Sequence, residues 1–597
     1  MGRSSVLVRL SGRKQGDQSS TSNGNGVRRE APQNSWRGRS LASLSRKLPP
    51  GLKPKSPSAA FDPVVVQPVV NDDDDSEEEA QGYYPRPVEV IRQEEYPHMN
   101  QGVYLDHGGT TIYARATIER TTAKLLANLY GNPHSANRPA ALSGDVVDCA
   151  RARALRFLGA DPRHFDLVFA ANATAAIKLV ADAFRDLAAR SSRAPASRAS
   201  FWYGYHRDAH TSLVGVRELA GGDHHVFADD EEVEAWLDGG DGGDRLSSLG
   251  LFAYPGQSNL TGRRLPLEWA GRLRRAARAR RDLRDTYSLL DAAALAMTSP
   301  MAEVFADPEA APDFVCVSFY KIFGFPDLGG LVVRRDSGHI LALRKYFGGG
   351  TVSMVSTISG AWHLSKALER TAGARDGEAS VGGALHEGLE DGTLPFHSIL
   401  ALGEAIDVHA ELFGSMQSVS AHTTALARRM YRRMKRLRHY NGQPLCEVYG
   451  EGAGGAAYGD ARRQGATIAF NVFRADGGYE SYATVEKLAN ESGIYVRSGG
   501  ICCPGGVYAA LQYEPWQLDR ARSAGHHCGP NGLSLINELP TGVVRVSLGA
   551  MSTIQDVDKF LAFLHDTFTT REDSAYGNSN GGGSAASVKS EPGEGYG

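Results

Sequence analysis

The sequence of 597 residues lacks several features that define other classes of protein. It contains no uninterrupted apolar run long enough to cross a bilayer, so we expect no membrane association. Six cysteines are too few in so long a chain for a disulfide framework, which indicates a reducing compartment. The net charge of -3 gives no strong positive field, so nucleic acid is not an expected partner. The adjacent Cys502 and Cys503 lack zinc-ligand spacing, and no metal site is expected.

The two ends of the chain differ in composition from its middle. Residues 1–97 are rich in Ser, Gly, Arg, Pro and Asn, which predicts a disordered tail. The first 14 residues are basic but have no apolar core of a secretory signal. We therefore expect a cytoplasmic protein, with organelle targeting by the basic N-terminus as the alternative. Residues 570–597 are Gly/Ser-rich and predict a second disordered tail.

The residues between these tails predict an α/β fold. Short apolar runs alternate with amphipathic helical patterns, which is typical of a parallel-rich sheet covered by helices. After about residue 397 the pattern changes to long helices followed by further strands. We therefore expect a large domain over 98–397 and a smaller α+β C-terminal domain over 398–569. The first segment of the body could pack on the smaller domain.

Lys321 lies in the stretch that best indicates chemistry. Two apolar runs, 314–319 and 331–333, predict buried strands, and Lys321 lies between them beside a glycine-rich loop. Burial near a strand end favours the neutral amine, which is the form that attacks a carbonyl to make a Schiff base. A surface lysine in a turn is the alternative interpretation.

Two further strand ends carry candidate ligand-binding groups. Asp291 follows a predicted strand at its C-terminal end, where open α/β sheets bind ligands, and it could pair with a protonated pyridine nitrogen. Thr174 and Ala175 lie where a strand leads into a helix, whose first N–H groups and Thr174 hydroxyl could hold a phosphate. The alternative for Asp291 and for Thr174 is a helix N-cap, a role that Asn172 could also fill.

Four other residues are weaker candidates. His210 could stack on a planar ring, and Asn259 lies in a turn-rich loop after a strand. Arg545, in a predicted strand, could bind a substrate carboxylate through two hydrogen bonds. Cys502 lies between glycines and a proline, which predicts a mobile loop with an exposed, reactive thiol. The alternatives are a structural histidine, a turn asparagine, an ordinary ion pair and an unreactive thiol.

Taken together, these residues supply every part of a pyridoxal 5'-phosphate site for an amino acid. They provide a Schiff-base lysine, a partner for the pyridine nitrogen, a phosphate loop, a ring-stacking group and an arginine for the carboxylate. The additional cysteine points to sulfur chemistry.

Eight short motifs run in order over residues 100–568, and they are YLDHGGTT (104–111), YGNPHS (130–135), ANATAA (171–176), YPGQSN (254–259), SFYKIFG (318–324), YFGGGTV (346–352), EDGT (390–393) and RVSLGAMST (545–553). On these motifs, the sequence resembles the class V aminotransferase and cysteine desulfurase superfamily, and within it the N-terminal domain of molybdenum cofactor sulfurases. The resemblance implies a pyridoxal-phosphate-dependent transferase of fold type I.

The resemblance implies a role for each candidate. Lys321 would hold the cofactor as a Schiff base, and Ser318, Thr174 and Ala175 would contact its phosphate. His210 would stack on the ring, Asn259 would bond the ring hydroxyl, and Asp291 would pair with the ring nitrogen. Thr393 would reach the phosphate of a neighbouring subunit, so a homodimer is expected. Arg545 would bind the carboxylate of L-cysteine.

The implied reaction takes sulfur from L-cysteine. Counting back from Pro504, the nucleophile falls on Cys502, which would carry a persulfide while alanine leaves. The sulfur would go to the molybdenum cofactor, bound by an acceptor protein, because the stretch after Phe568 has no room for the sulfurases' C-terminal cofactor-binding domain. The alternatives are another class V enzyme, an aminotransferase or lyase for which Cys502 is dispensable, and a non-catalytic protein of this fold.

Overall fold

Seven strands form the sheet at the centre of the larger lobe. In the computed structural model their spatial order is Phe165–Ala170, Gly329–Arg334, Phe314–Ser318, Asp285–Asp291, Leu249–Pro255, Trp202–His206 and His224–Phe227. The strand Gly329–Arg334 is antiparallel to both of its neighbours, and the other six strands point in one direction. The predicted parallel-rich α/β sheet is therefore confirmed.

The structure describes residues 82–191, 200–240, 245, 249–358, 360–367, 384–450, 457–527, 529 and 532–569. All of them belong to the compact unit 76–597. The predicted tail at 570–597 and most of the one at 1–97 lie outside the described residues. No helix in the described ranges is long and apolar enough to cross a membrane.

Helices cover both faces of the large sheet, and the strands are therefore apolar at nearly every position. Leu167 belongs to the core cluster that contains residues of the helices Arg138–Leu158 and Phe396–Phe413. Val168, the next residue, belongs to the cluster on the opposite face with the helix Ala173–Ser191. Successive side chains of a strand point to opposite faces, so one six-residue strand joins the two halves of the core.

A four-stranded antiparallel sheet forms the smaller lobe, in the order Cys446–Tyr449, Thr467–Val472, Val543–Ser547 and Arg497–Gly499. Three helices pack on it, and they are Met416–Arg436, Tyr482–Glu491 and Ile554–Phe568. The short strand Val103–Tyr104 pairs in parallel with Ile494–Tyr495. The first segment of the body therefore packs on the smaller lobe.

The remaining elements connect these lobes or lie at their edges. The helices are Val88–Glu95, Arg115–Ala127, Thr211–Val214, Asp230–Leu237, Trp269–Ala279, Ala302–Phe305, Phe319–Phe323, Gly338–Ala342, Pro504–Ala510 and Pro515–Ser523. Two hairpins pair Val352–Ser356 with Trp362–Ser365 and Leu535–Ile536 with Leu539–Pro540.

Local sequence signals fix several helix ends. The helix Arg138–Leu158 begins at Asn137, whose side chain accepts a hydrogen bond from the Ala140 N–H at 3.0 Å. It ends at Gly159, whose φ of 76° is accessible to glycine without strain. The helix Ile554–Phe568 begins with a capping box formed by Thr553 and Asp556.

Two of the predicted boundaries are wrong. The helix Val88–Glu95 lies inside the stretch 1–97 predicted to be disordered, and its Ile91 is fully buried, so the polar composition concealed an ordered helix. The boundary at 397/398 cuts the helix Phe396–Phe413. Ile399 and Leu402 of that helix belong to the core of the larger lobe, because its apolar face packs on the helix Arg138–Leu158.

Candidate active site

One cavity lies at the edge of the large sheet where the parallel strands end. Together with the open solvent at its mouth, it spans about 500 Å³. Its lining includes six of the residues predicted from the sequence, and they are Lys321, Asp291, Thr174, His210, Asn259 and Ser318. Ser318 and Lys321 lie at the end of one strand, and the other four residues end or follow four further strands, as expected at this edge of an open α/β sheet.

Lys321 lies in the short helix Phe319–Phe323, directly after the strand Phe314–Ser318. Burial lowers the pKa of its amine to about 8, with Arg545 and Arg497 adding to the effect and Asp291 opposing it. Among the described residues, the Lys321 amine has no hydrogen-bond or ion-pair partner within the chain. The structure therefore places a partly neutral, nucleophilic amine in the cavity.

Asp291 ends the strand that neighbours the Lys321 strand in parallel, so both groups meet at one sheet edge. Its Oδ1 accepts hydrogen bonds from the Ala293 N–H at 3.0 Å and from the Cys316 thiol at 3.6 Å. Burial, and then the Asp291 charge, raise the pKa of Cys316 well above its ordinary value. Cys316 thus stays a neutral thiol that holds the carboxylate in place.

Hydroxyl groups and a helix N-terminus converge on one end of the cavity. The Thr174 and Ser212 hydroxyl oxygens are 2.7 Å apart, and Ser318 Oγ accepts a hydrogen bond from the Ala173 N–H at 3.3 Å. This end of the cavity offers the donors that phosphate requires. Ala175 does not line the cavity, and its N–H already donates to the side chain of Asn172 at 3.0 Å. The predicted phosphate contact at Ala175 is therefore not supported.

His210 caps the short helix Thr211–Val214. Its Nδ1 accepts a hydrogen bond from the Ser212 N–H at 3.1 Å, so the ring proton of the neutral form is on Nε2. Burial lowers the pKa of His210, and the positive charge of Lys321 adds to this effect. The imidazole is therefore neutral at neutral pH, and a neutral ring can stack on another planar ring.

Asn259 joins the cavity to the loop that carries Cys502. Its side-chain amide donates to the Ile501 carbonyl oxygen at 2.7 Å, and its backbone carbonyl oxygen accepts a hydrogen bond from Arg545 Nη1 at 2.9 Å. Gln257, two residues earlier, also lines the cavity, and its buried Nε2 lacks a hydrogen-bond partner among the described residues. A buried amide donor without a partner suits a cavity built for a polar ligand.

Arg545 is buried beneath the cavity, with 1% of its surface exposed. Its Nη2 forms an ion pair with Asp106 Oδ1 at 2.6 Å, and burial lowers its pKa. Arg545 does not line the cavity, and its two terminal nitrogens already have partners. The structure therefore does not present it as a free two-pronged carboxylate site.

Cys502 and Cys503 are adjacent but lie in opposite environments. Cys502 is exposed, whereas Cys503 is fully buried and its thiol donates to the Asp208 carbonyl oxygen at 3.4 Å. Burial raises the pKa of Cys503 well above its ordinary value. Of the two thiols, Cys502 is the one that a substrate can reach.

The loop around Cys502 is anchored, in contrast to the mobile loop that the glycines and proline predict. Ile501 is 3% exposed and packs with Cys503, Leu260 and Tyr449 in a small apolar cluster. The Cys502 carbonyl oxygen accepts from the Thr211 N–H at 2.9 Å, next to His210. The thiol is therefore held at a fixed place beside the cavity.

Thr393 lies away from this cavity and is exposed. Its loop is fixed by a buried pair, in which Arg151 binds both oxygens of Glu390 at 2.6 and 2.9 Å. Glu390 also accepts from the Phe169 N–H at 2.7 Å. The loop that presents Thr393 is thus attached to the strand that leads to Thr174.

Sequence reasoning missed three residues of the site, namely Ser212, Gln257 and Arg497. Ser212 and Gln257 line the cavity, and Arg497 donates to Cys502 Sγ at 3.5 Å. Ser212 lies two residues after His210, and Gln257 lies two residues before Asn259. Closeness to these two candidates is the signal in the sequence that could have identified them. Arg497 lies in the short motif that contains Cys502, but its role depends on a strand pairing that sequence does not reveal.

The chain matches the family model described as aminotransferase class V over residues 247–560. Two curated relatives are both described as molybdenum cofactor sulfurase. The protein from Aspergillus niger is 49% identical over 82% of this chain and 55% of its own length. The protein from Botryotinia fuckeliana is 48% identical over 81% of this chain and 56% of its own length. The chain therefore spans about half the length of these relatives.

Solved structures share the fold. A cysteine desulfurase from Thermococcus onnurineus matches with a TM-score of 0.57 and 18% identity, over 81% of this chain and 98% of its own. A cysteine desulfurase from Escherichia coli matches with a TM-score of 0.54 and 18% identity, over 80% of this chain and 98% of its own. The predicted fold type and the predicted resemblance are both confirmed.

Proposed function

The chain belongs to the class V aminotransferase family, and from this premise we propose that it takes sulfur from L-cysteine and releases alanine. One observation carries the proposal. The exposed thiol of Cys502 lies in a loop that a hydrogen bond from the Asn259 amide to the Ile501 carbonyl oxygen joins to the cavity, and the same cavity holds the Lys321 amine. An aminotransferase of the same fold has no need of a thiol in this position. The relatives described as sulfurases support the same reaction.

The cofactor of this enzyme is pyridoxal 5'-phosphate, as expected for its family. The residues present fit this group. Lys321 would hold it covalently, Asp291 would face its ring nitrogen, His210 would stack on the ring, and Thr174, Ser212 and Ser318 would hold the phosphate. When bound, the cofactor delocalises the electron pair that is left on the substrate α-carbon when that carbon loses its proton.

The residues of the chain move the protons. Because its pKa is about 8, the Lys321 amine can give up and recover a proton near neutral pH. Neutral His210 keeps its Nδ1 occupied by the Ser212 N–H, so its Nε2–H is the group left to face a ligand. We propose that Lys321 is the general acid and base of the reaction and that His210 orients the ring.

Cys502 is the proposed nucleophile. Its thiolate attacks the sulfur of L-cysteine, an S–S bond forms, and the bond between sulfur and the substrate β-carbon breaks. The electron pair of the broken bond stays on that carbon, which takes a proton to become the methyl group of alanine. Thiolate and L-cysteine together contain the same atoms and charge as alanine and the persulfide anion on Cys502.

A homodimer is proposed to complete the site. Thr393 lies outside its own cavity on an exposed loop, as expected of a residue that serves a second subunit. Large apolar side chains are exposed in nearby segments, among them Leu129, Tyr346 and the hairpin residues Met354 and Trp362. The imidazole of His134 lies against Gly350, and its Nε2 is 3.3 Å from the Gly392 carbonyl oxygen, so these segments lie close to the Thr393 loop. A second copy of the chain would cover this surface.

The acceptor of the sulfur is proposed to be a protein that binds the molybdenum cofactor. This proposal comes from the name of the relatives, of which the chain spans about half. The cytoplasmic location expected from the sequence is proposed with it.

Incubation of the protein with L-cysteine tests the reaction. We expect alanine to form, and mass spectrometry to find 32 mass units added at Cys502, the mass of one sulfur atom. Cys502→Ser should lose both products. The matched control is Cys503→Ser, which should keep them because that thiol is buried. An aminotransferase or lyase would keep full activity in Cys502→Ser, and that result would refute the desulfurase proposal.

A further inference from the structure

Two arginines lie opposite each other in neighbouring strands of the small sheet. Arg497 and Arg545 are directly paired in the antiparallel register of Arg497–Gly499 with Val543–Ser547. Directly opposed residues project from the same face, and like charges in that position destabilise a sheet. Arg545 Nη1 donates to the backbone carbonyl oxygen of Asn259, which lines the cavity, so the pair lies near the cavity. Such a pair is stable when each cation has an anion.

Arg545 has its anion within the chain. Asp106 binds Nη2 at 2.6 Å, and the Asn259 carbonyl oxygen takes the second terminal nitrogen at 2.9 Å. Arg545 is buried and Asp106 is half-buried, so solvent screens the pair less than it would a surface pair. Arg545 is therefore electrically satisfied by the chain itself.

Arg497 has no carboxylate partner in the part of the chain that the structure describes. The one side-chain hydrogen bond that it makes to the described residues joins Nη2 to the Sγ of Cys502 at 3.5 Å. The arginine is half-buried, whereas the thiol is exposed. A guanidinium that contacts a sulfur and has no carboxylate partner among the described residues can donate charge-assisted hydrogen bonds to that sulfur when it is an anion.

The contact between Arg497 and Cys502 is held by its surroundings. Ile501 and Cys503, on either side of the thiol, are both buried, and the Thr211 N–H holds the Cys502 carbonyl oxygen. Arg497 is fixed by its strand pairing with Arg545. The 3.5 Å distance therefore belongs to two anchored segments rather than to a flexible loop.

We propose that Arg497 is a further residue of the reaction, which binds the anionic sulfur of Cys502 first as thiolate and then as persulfide. The arginine keeps the nucleophile charged before the transfer and holds the negative terminal sulfur after it. The persulfide half of this proposal rests on the proposed function. The thiolate half does not, since it needs neither cofactor nor substrate.

The test measures how fast iodoacetamide labels Cys502 in the full-length protein as purified, without L-cysteine. Tandem mass spectrometry assigns the label, and the exposed Cys149 is the internal reference. In Arg497→Gln, we expect labelling of Cys502 at pH 7 to fall roughly tenfold. Arg497→Lys keeps the charge and should stay within about threefold of the wild type.

The pH profile separates charge from shape. Loss of the charge slows labelling near neutral pH and leaves the plateau at high pH unchanged. A merely structural effect changes the plateau instead. Labelling of Arg497→Gln at the wild-type rate at every pH would overturn the proposal, as would a changed plateau without a shift along the pH axis.

A measurement on the wild type needs no variant. Raising the salt concentration to 1 M screens a half-exposed charge, so Cys502 labelling at pH 7 should slow relative to Cys149. An unchanged ratio would count against the proposal even if Arg497→Gln failed to fold. If labelling behaves as expected but L-cysteine gives no alanine, the proposed function fails and the Arg497 inference stands.

Discussion

Lys321 and Cys502, the two proposed reactive groups, are prepared by opposite means. Lys321 lies at the edge of a rigid sheet, and burial drives its amine toward the neutral, nucleophilic form. Cys502 belongs to the smaller lobe, is exposed, and accepts a hydrogen bond from the cation Arg497 at 3.5 Å, which we propose to hold its anionic, nucleophilic form. On losing a proton, an amine becomes neutral and a thiol becomes an anion, and each product is the nucleophilic form. The site therefore combines a buried amine with an exposed thiol.

The largest effect should come from removing the buried amine of Lys321. In Lys321→Ala we expect no covalently held cofactor, and alanine formation should fall on the order of 100- to 10,000-fold, since proton transfer is lost as well. Absorbance spectroscopy of the purified variant and an alanine assay make the measurement. Cys502→Ala is the matched control, because it should lose alanine formation while its cofactor spectrum stays that of the wild type. Equal loss of the cofactor spectrum in both variants would contradict the separate roles of the Lys321 amine and the Cys502 thiol.

The pH dependence of cofactor capture should sharpen the same comparison at a smaller scale. The neutral Lys321 amine is the form that captures the cofactor, and its pKa is lowered to about 8. Below pH 8 the capture rate should fall about tenfold per pH unit, and above it the rate should level off. Stopped-flow absorbance on the cofactor-free protein follows the capture. A rate that keeps rising to pH 10, as for an ordinary lysine, would show that burial does not control the amine.

The two neighbouring cysteines offer the smallest test. Cys503→Ala removes a fully buried thiol and its hydrogen bond to the Asp208 carbonyl, so the free energy of unfolding should fall by roughly 1–2 kcal/mol. Cys502→Ala removes an exposed thiol and should change it by less than about 0.5 kcal/mol. Urea denaturation of both variants compares them. A larger loss in Cys502→Ala would show that the exposed thiol is part of the packing.

The sequence allowed the large sheet to be predicted where its strands are continuous apolar runs. The runs at Phe314 and Leu331 and the run that ends at Asp291 all became strands with bounds close to those expected. Trp202–His206 was missed because Gly204 and a histidine break its apolar pattern. Gly204 is required there, since a side chain would strike the Trp202 ring. The edge strand His224–Phe227 is short and half-exposed, and such strands carry little apolar signal.

The candidate site was predictable where a residue's role depends on its own strand end. Lys321, Asp291 and Thr174 follow strands whose direction the alternation pattern sets, so their meeting at one edge could be expected. Arg545 was predicted to face a substrate, but its partner Asp106 lies 439 residues away along the chain. The pairing of Arg497 with Arg545 likewise depends on sheet register. Contacts between distant segments are the part that one sequence leaves open.

The backbone at the thiol has a consequence of its own. Ile501 and Cys502 adopt φ values of 49° and 53°, in the left-handed region, where a side chain costs roughly 1–3 kcal/mol per residue and glycine costs little. The loop would relax if either residue were glycine, yet Ile501 supplies the apolar side chain that pins it down. The smaller lobe therefore gives up part of its folding free energy to backbone strain at these two residues. In return, the Cys502 thiol is held in one orientation.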